Sequence, residues 1–367
     1  MNHKIVIKIG TTSIASNNEK GINLQLMSEL VEAIIDLKKL GHDVVLVSSG
    51  AVGLGSKRLN FKEKPKKITD KQVAASVGQI LLASLYDQLF QKHGQIVGQV
   101  LLTKQELQNK ENFFNAQSTL KGLLALGVIP IINENDVVAV DEIKFTDNDH
   151  LAALVCKLIS ADELFLLTDT EGLFTKNPFL HPDAQLINEV VEINTDIESM
   201  VKESRSKWGT GGMMSKIKAA KMVINFGTNV HIISGSKVLQ ISNILKGERI
   251  GTLFRAKRSK ASSGNKKTLI AYMKATKGKI FIDEGAKDAL FKGKSLLPVG
   301  IKEIDGSFKR GEIIEILYKK ALIAKGITRY SSKDLEKIKG LVSNKIEDVL
   351  SYTYGNNVIH RDDLMII

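Results

Sequence analysis

Short apolar runs alternate with longer helical patterns from residue 1 to about residue 255, and this alternation restricts the fold more than any other feature. Strands buried on both faces give continuous apolar runs, and strands that alternate with helices form mostly parallel sheets. The sequence therefore predicts an α/β fold with a mostly parallel sheet. The strand candidates are KIVIKIG, DVVLVSSG, VIPIINEND, ELFLLTD and NVHIISG, and the helix candidates span residues 24–40, 72–93 and 115–126.

The pattern changes after residue 256. The stretch KRSKASSGNKK, which begins at Lys257, is basic, rich in Ser and without apolar periodicity, as linkers are. Beyond it, GKIFID, EIIEILY and ALIAKGITRY are short strand-like runs separated by turns. We therefore expect an α/β domain over residues 1–256, a basic linker over residues 257–276, and a small, mainly β domain over residues 277–367.

Positive charge is concentrated in the last third of the chain. The formal net charge is +12, and residues 257–367 contribute 23 Lys and Arg against 13 Asp and Glu. Such asymmetry occurs in modules that bind nucleic acids, but lysine-rich surfaces are also common without such a partner. Charge alone therefore leaves RNA or DNA binding open.

The cysteine content and the distribution of apolar residues favour a cytosolic location. The single cysteine, Cys156, lies in the apolar run HLAALVCKLI and is expected to be a buried small residue, so no internal disulfide can form. The N-terminal MNHKIVIKIG has no apolar stretch of signal-peptide length, and no window approaches about 18 uninterrupted apolar residues. We expect a cytoplasmic protein without a membrane partner.

Polar residues gather where the predicted strands end, which is where ligands bind to open parallel sheets. Lys8 lies in VIKIGTTS, just before a glycine. A buried lysine there needs an anion, although an edge lysine that reaches solvent gives the same pattern. Ser48 and Ser49 precede Gly50, Gly53 and Gly55 in SSGAVGLG. We interpret these glycines as a turn before a helix, an arrangement suited to an anion.

Two clusters of carboxylates and amides follow the third strand candidate. NEND, residues 133–136, closes that strand, and Asp147, Asn148 and Asp149 precede a helix in FTDNDHLAALVCKLI. Asp149 taken alone also fits a helix N-cap. Two such clusters close together indicate a site more strongly than either one does.

A glycine-rich segment, WGTGGMMSK at residues 208–216, ends in Lys216. Its composition suits a phosphate, but its spacing is not that of a P-loop, and a plain surface loop fits as well. Thr168 and Asp169 close a further strand, where they can meet a ribose or an adenine edge. Together these groups fit phosphoryl transfer, which depends on positioning and charge neutralisation. Hydride transfer fits less well because no GxGxxG follows the first strand.

Six motifs resemble the amino-acid kinase family, in its glutamate-phosphorylating branch, in order and approximate spacing. They are VIKIGTTS, VSSGAVGLG, PIINENDVVA, FTDNDHLAAL, LLTDTEGLF and GTGGMMSKIKAA. The later stretch IDEGAKDALFKGKSLLPVGIKEIDGSFKRGEIIEI resembles the PUA domain of bacterial members. The resemblance covers nearly the whole chain. It implies an αβα sandwich with a mostly parallel sheet, followed by a small, mainly β PUA-like domain.

The resemblance implies ATP- and Mg²⁺-dependent phosphorylation of the side-chain carboxylate of L-glutamate, the first step of proline biosynthesis. Lys8 and Lys216 would neutralise the transferred phosphoryl group, and Asp149 would hold both lysines in place. Metal is expected mainly on the ATP phosphates, so no protein ligand is assigned. The positions matching glutamate contacts are Ser49, Asp136 and Asn148, and those matching ATP contacts are Lys8, Thr168, Asp169, Thr210, Gly211, Gly212, Met213 and Lys216.

One position departs from the family pattern. Ser215 stands where members often have threonine, so a hydroxyl is kept and only fine nucleotide contacts are affected. We expect Lys216→Ala and Asp149→Ala each to abolish turnover with the fold intact.

The resemblance also implies a homo-oligomer (dimer or tetramer), proline as a feedback inhibitor and the next enzyme of the pathway as a partner. PUA domains are associated with RNA in other enzymes, but this region has few aromatic residues for stacking bases, so an architectural or regulatory role is favoured. Two alternatives stay open. One is a kinase of the same fold that acts on acetylglutamate, aspartate, carbamate or a nucleoside monophosphate. The other is a non-enzymatic RNA-binding protein on an inactive kinase scaffold.

Overall fold

The chain divides into two units. One comprises residues 1–108 and 115–258, and the other comprises residues 109–114 and 259–367. Most of the expected linker lies outside the described residues, so its boundaries stay predictions. The computed structural model describes residues 2–14, 22–139, 148–195, 197–198, 200, 212–257 and 278–367.

An eight-stranded sheet forms the centre of the first unit. Its strands are β1 (Lys4–Ile9), β2 (Asp43–Ser48), β3 (Val97–Leu102), β4 (Ile129–Glu134), β5 (Glu163–Thr168), β6 (Glu189–Val190), β7 (Asn229–Ser234) and β8 (Thr252–Phe254). They lie in the order β3-β4-β2-β1-β5-β7-β8-β6, and only β7 and β8 are antiparallel neighbours among them. The predicted mostly parallel sheet is confirmed.

All five strand candidates are present, as β1, β2, β4, β5 and β7. Each is buried along nearly its whole length, which explains its continuous apolar sequence. The pattern missed β3 because this strand lies at the edge of the sheet and most of its residues are only half-buried. It also missed β6 and β8, which have two and three residues.

Helices cover the sheet and carry the strand ends. They include α1 (Thr11–Ile14), α2 (Leu24–Lys39), α3 (Ala51–Arg58), α4 (Ile68–Gln91), α5 (Lys104–Gln108), α6 (Lys110–Ala125), α7 (Asn148–Ile159), α8 (Met213–Val223) and α9 (Ile241–Leu245). The three helix candidates correspond to α2, α4 and α6, of which α4 and α6 begin earlier than predicted. Cys156 of α7 is buried, as expected.

Two glycines bring α3 and α4 into backbone contact. A Cβ atom on Gly55 of α3 would lie 1.7 Å from the carbonyl oxygen of Ala74, and one on Gly78 of α4 would lie 1.8 Å from that of Ala51. Real Cβ atoms do not approach other atoms so closely, so only glycine fits at either position. The two helices therefore form a closely packed pair.

This packing corrects one sequence interpretation. The sequence predicts that Gly53 and Gly55 lie in a turn before a helix, but both lie inside α3. Only Gly50, whose φ is 112°, belongs to the turn. Gly55 serves helix packing, and an alternating glycine pattern does not separate that role from ligand binding.

Among the described helices, α4 alone is long and apolar enough that its length and composition would also allow a membrane span. Its Leu82, Tyr86 and Phe90 belong to the main core cluster and are almost completely buried. These contacts are those of a core helix.

The second unit contains a five-stranded sheet with its own hydrophobic core. Its strands are β9 (Lys279–Ile282), β10 (Ile301–Asp305), β11 (Ile313–Tyr318), β12 (Ala321–Ile327) and β13 (Leu364–Ile366), in the order β10-β9-β11-β12-β13. The helices α10 (Glu284–Phe291), α11 (Ser332–Ile338) and α12 (Ile346–Leu350) accompany it. The expected small, mainly β unit is confirmed.

Tyrosines of the second unit cluster despite its low aromatic content. The ring of Tyr354 lies 5.5 Å from that of Tyr330 and 5.3 Å from that of Tyr352, and the guanidinium of Arg310 lies 3.5 Å above it. Tyr330 is fully buried and donates a hydrogen bond to the carbonyl oxygen of Gly355. Tyr330 and Tyr354 belong to the core of this unit, whereas Tyr352 is 40% exposed.

Candidate active site

A cleft of about 690 Å³ opens at the carboxyl ends of β1, β2, β4 and β5, where the topology of the sheet predicts a ligand site. Asp149 lies buried beneath it. Thr210 and Gly211, and also Asp147, lie outside the described residues. The other predicted site residues all line the cleft: Lys8, Ser49, Asp136, Asn148, Thr168, Asp169, Gly212, Met213 and Lys216.

Asp149 joins two lysines that are distant in sequence. Lys8 Nζ lies 2.6 Å from Asp149 Oδ1, and Lys216 Nζ lies 3.1 Å from Oδ2. All three side chains are at most 4% exposed. Two positive charges share one negative charge, so the cluster of Lys8, Asp149 and Lys216 presents a net positive charge where both lysines line the cleft.

Burial makes this cluster most sensitive to the loss of Asp149, the carboxylate that both lysines share. Removing one partner of a buried ion pair costs about 3–5 kcal/mol, because the remaining charge stays away from water. Asp149 is the second residue of α7, but its carboxylate contacts lysines of β1 and α8. A simple N-cap therefore does not account for it.

Ser215 also contacts the cluster. Its Oγ lies 2.6 Å from Asp149 Oδ2 and 2.9 Å from the carbonyl oxygen of Gly212, and its one proton can be donated to only one of these at a time. Sequence reasoning assigned Ser215 to nucleotide contacts alone, because nothing in the sequence links it to Asp149. Gly212 and Met213, at the start of α8, also line the cleft, and the first turn of a helix is a common phosphate site.

Asn148 connects the ends of β2 and β4 with the start of α7. Its Nδ2 lies 2.9 Å from the carbonyl oxygen of Ser48, 2.7 Å from Ser49 Oγ and 2.9 Å from Asn133 Oδ1. An amide nitrogen carries two protons, so it donates to two of the three at once. The network fixes Ser49 and Asn148 beside each other at the cleft.

Sequence reasoning missed a polar layer behind this network. The Tyr86 hydroxyl lies 2.8 Å from Ser48 Oγ, and Gln79 Oε1 accepts a hydrogen bond from Asn133 Nδ2 at 2.8 Å. Burial raises the pKa of Tyr86 well above its usual range, so its hydroxyl stays neutral. The available signal was the seven-residue spacing of Gln79 and Tyr86, which puts both on the face of α4 that carries the buried Leu82.

Asp136 is the carboxylate in the cleft with a clearly shifted pKa. Burial raises the pKa of Asp136 to about 6, although the nearby Lys71 ammonium acts in the opposite direction. The carboxylate is therefore mostly ionised at neutral pH and becomes protonated under mildly acidic conditions. A shifted carboxylate in a cleft is a candidate for substrate binding.

Thr168 and Asp169 form the end of β5 on the same cleft. Thr168 Oγ1 donates a hydrogen bond to Asp169 Oδ1 at 3.0 Å. A hydroxyl and a carboxylate so placed can bind the polar edges of a nucleoside. The position supports the predicted contact of these two residues with a nucleotide.

The cleft is lined by both cationic and acidic side chains. Within the described part of the chain, no group of three or more His, Cys, Asp or Glu has a metal-binding arrangement. Four acidic residues line the cleft: Glu63, Glu134, Asp136 and Asp169. Such oxygen donors fit Mg²⁺ that enters already bound to phosphates and keeps part of its water.

Two families match this chain. Residues 3–234 match the amino acid kinase family, and residues 278–350 match the PUA domain. The first match spans the cleft, and the second covers most of the small β unit.

Similar proteins extend these matches over the full chain. The glutamate 5-kinase of Thermoanaerobacter sp. (strain X514) is 43% identical over 99% of this chain and 98% of its own. The glutamate 5-kinase of Microcystis aeruginosa (strain NIES-843 / IAM M-2473) is 44% identical over 100% of this chain and 97% of its own. The solved structure of a Giardia lamblia carbamate kinase bound to AMP-PNP covers 70% of this chain and 99% of that one, with a TM-score of 0.51 at 18% identity. This last likeness supports the α/β fold alone.

Proposed function

The chain belongs to the amino acid kinase family and, within it, to the glutamate 5-kinases, and from this membership and the cleft we propose that it transfers the γ-phosphoryl group of ATP to the side-chain carboxylate of L-glutamate. The products are L-glutamyl 5-phosphate and ADP, and the reaction is the first step of proline biosynthesis. The observation that carries the proposal is the buried Asp149, which holds Lys8 and Lys216 at the cleft.

The chemistry needs charge neutralisation more than proton transfer. The attacking group is already an anionic carboxylate, so no general base is required. The main barrier is repulsion between this carboxylate and the phosphates of ATP. Lys8 on β1 and Lys216 on α8 supply positive charge from two elements, and Asp149 fixes their positions so that little reorganisation is needed during transfer.

The two substrates have separate candidate positions in the cleft. We assign glutamate to the side formed by Ser49, Asp136 and Asn148. We assign ATP to the side formed by β5 and the start of α8: Thr168, Asp169, Gly212 and Met213. Thr210 and Gly211, which the sequence also assigns to ATP, lie outside the described residues. Mg²⁺ bound to ATP would add further positive charge at the phosphates, and Glu134 or Asp169 can bind its waters.

A comparison of acceptors tests the proposed function. ADP release is measured with Mg²⁺-ATP and L-glutamate, N-acetyl-L-glutamate, L-aspartate or UMP, with hydroxylamine present to trap an acyl phosphate. We expect turnover and a hydroxamate with L-glutamate alone. Turnover with another acceptor would reassign the substrate. If folded protein that binds ATP releases no ADP with any of the four acceptors, the proposal is contradicted and a non-enzymatic, RNA-binding role is favoured.

Acid pH is expected to weaken glutamate binding through Asp136. We propose that its carboxylate binds the α-ammonium group of glutamate and must be ionised to do so. Because the pKa of Asp136 is raised to about 6, the ionised fraction falls as pH drops through that value. The KM for glutamate should therefore rise about fourfold from pH 7.5 to 5.5, in proportion to the loss of the competent form. The KM for ATP, measured in parallel, should stay constant; an equal rise in both would refute the assignment.

Family membership supports further proposals on location and partners. We propose a cytoplasmic homo-oligomer, a dimer or tetramer, with proline as feedback inhibitor and the next pathway enzyme as a partner. The apolar residues Val73, Ile80 and Leu81 lie exposed on α4, and Ile80 is 73% exposed, as expected of a face that pairs with another copy. RNA is not assigned as a partner.

A further inference from the structure

The glutamate side of the cleft contains a lysine that the proposed reaction does not yet use. Lys71 lies in the first turn of α4, is half-buried and lines the same cleft as Asp136. It makes no ion pair within 4.0 Å of its ammonium group with any other residue in the described ranges. A partly desolvated ammonium group without a paired carboxylate is suited to receive an anion from a ligand.

The backbone that carries Lys71 is connected to the segment that carries Asp136. Gln72, the next residue, donates a hydrogen bond from Nε2 to the carbonyl oxygen of Val137 at 2.9 Å, which ties the start of α4 to the segment that carries Asp136. The close contact of Gly55 and Gly78 also fixes α4 on α3, the helix that follows Ser49. The lysine and the carboxylate therefore belong to one packed region.

The two groups carry opposite charges without forming a direct ion pair. Lys71 is close enough to oppose the upward shift of the Asp136 pKa, yet no ion pair within 4.0 Å joins the two side chains. An arrangement of separated opposite charges is complementary to a zwitterion. The α-carbon of an amino acid carries such a pair, an ammonium and a carboxylate.

We propose that Lys71 binds the α-carboxylate of the acceptor amino acid while Asp136 binds its α-ammonium group, so that the pair selects a free amino acid. This inference rests on the proposed function, since it names a further contact of the same substrate. It gives Lys71 a positioning role: with the α-carbon anchored, the side-chain carboxylate is directed toward Lys8 and Lys216. The pair also disfavours acceptors whose α-carboxylate is amidated or whose amine is acylated.

The test compares L-glutamate with its α-amide in wild-type protein and in Lys71→Met. The dissociation constant of each is measured by calorimetry without ATP, and kcat/KM is measured with Mg²⁺-ATP. Charge-assisted contacts of this kind change affinity by about 10- to 100-fold. We expect wild-type protein to bind glutamate more tightly than the α-amide by that factor. In Lys71→Met, the affinity for glutamate should fall while the affinity for the α-amide stays nearly unchanged, so the preference is lost.

Lys67→Met is the matched control. Lys67 lies one turn earlier, at the start of α4, and its side chain is exposed and outside the cleft, so the net charge changes equally. The control should keep the preference for glutamate. Three results would overturn the proposal. Lys71→Met could lose affinity equally for glutamate and the α-amide, it could keep the wild-type preference, or wild-type protein could show no preference.

The dissociation constants test this inference, and kcat/KM tests the proposed function, so the two can fail independently. If glutamate binds but is not phosphorylated, the proposed function fails, and the dissociation constants still decide whether Lys71 recognises the α-carboxylate. If glutamate does not bind at all, both proposals are overturned.

Discussion

Replacing Lys216 by methionine is expected to lower kcat by about 10²–10³-fold, the usual cost of removing one charged contact to a developing anion. Methionine keeps most of the side-chain volume but removes the ammonium group. The fold should persist, because Asp149 keeps its ion pair with Lys8 at 2.6 Å. The variant is assayed for ADP release at saturating L-glutamate and Mg²⁺-ATP, and its melting curve is compared with that of wild-type protein.

Lys218→Met is the matched control for this substitution. Lys218 lies on the same helix, α8, but is exposed and does not line the cleft. Its kcat should stay close to that of wild-type protein. A Lys216→Met enzyme within about threefold of wild-type kcat would refute the charge-neutralising role.

The buried cluster revises one expectation about Asp149. From the sequence, Asp149→Ala was expected to abolish turnover with the fold intact. In the structure this change leaves Lys8 and Lys216 buried without their shared carboxylate, at a cost of about 3–5 kcal/mol. Loss of activity in that variant could therefore come from a catalytic defect or from unfolding. Lys216→Met distinguishes the two causes better, because the ion pair of Asp149 with Lys8 remains.

Replacing Gly78 by alanine is expected to destabilise the first unit by at least about 3 kcal/mol, the upper part of the range for overpacking. The new Cβ atom would lie 1.8 Å from the carbonyl oxygen of Ala51 and 2.6 Å from the backbone nitrogen of Gly55, so no side-chain rotation can relieve the contact. The helices α3 and α4 must separate. Since α3 follows Ser49, glutamate binding should weaken as well.

Thermal unfolding measures this effect, and Gly122→Ala is its control. A loss of about 3 kcal/mol corresponds to a fall in Tm of roughly 6–12 °C for a unit of this size. Gly122 lies within α6, and a Cβ atom there meets nothing within 4 Å, so alanine should be neutral or stabilising by up to about 1 kcal/mol. If both variants have the same Tm as wild-type protein, α3 and α4 do not pack in the backbone contact described at Gly55 and Gly78.

Local sequence pattern predicted most of the sheet and most of the candidate site. Strands such as β1 and β5 are buried on both faces, so their apolar runs are unbroken and their polar ends mark the ligand edge. Lys8 was recognised because a lysine in an apolar strand needs an explanation. The resemblance then joined Lys8 to Asp149 and Lys216, which are 141 and 208 positions away in the printed numbering.

Features that depend on distant packing were not visible in the sequence. Nothing in AVGLGSKR shows that Gly55 meets Ala74 of another helix, and nothing near Ser215 shows that its hydroxyl reaches Asp149. The edge strand β3 was missed for a different reason: its half-exposed residues give no continuous apolar run. Contacts between distant parts of the chain decide the first two, and position at the edge of the sheet decides the third.

The most direct test of phosphoryl transfer to the glutamate side chain follows oxygen atoms. L-Glutamate labelled with ¹⁸O in its side-chain carboxylate is incubated with the protein, Mg²⁺-ATP and hydroxylamine, and the released phosphate is examined by ³¹P NMR. Hydroxylamine attacks the acyl carbon, so the bridging oxygen leaves with the phosphate. We predict one ¹⁸O atom in each phosphate, and none when only the α-carboxylate is labelled. Unlabelled phosphate from side-chain-labelled glutamate would show that no acyl phosphate forms and would contradict the proposed function.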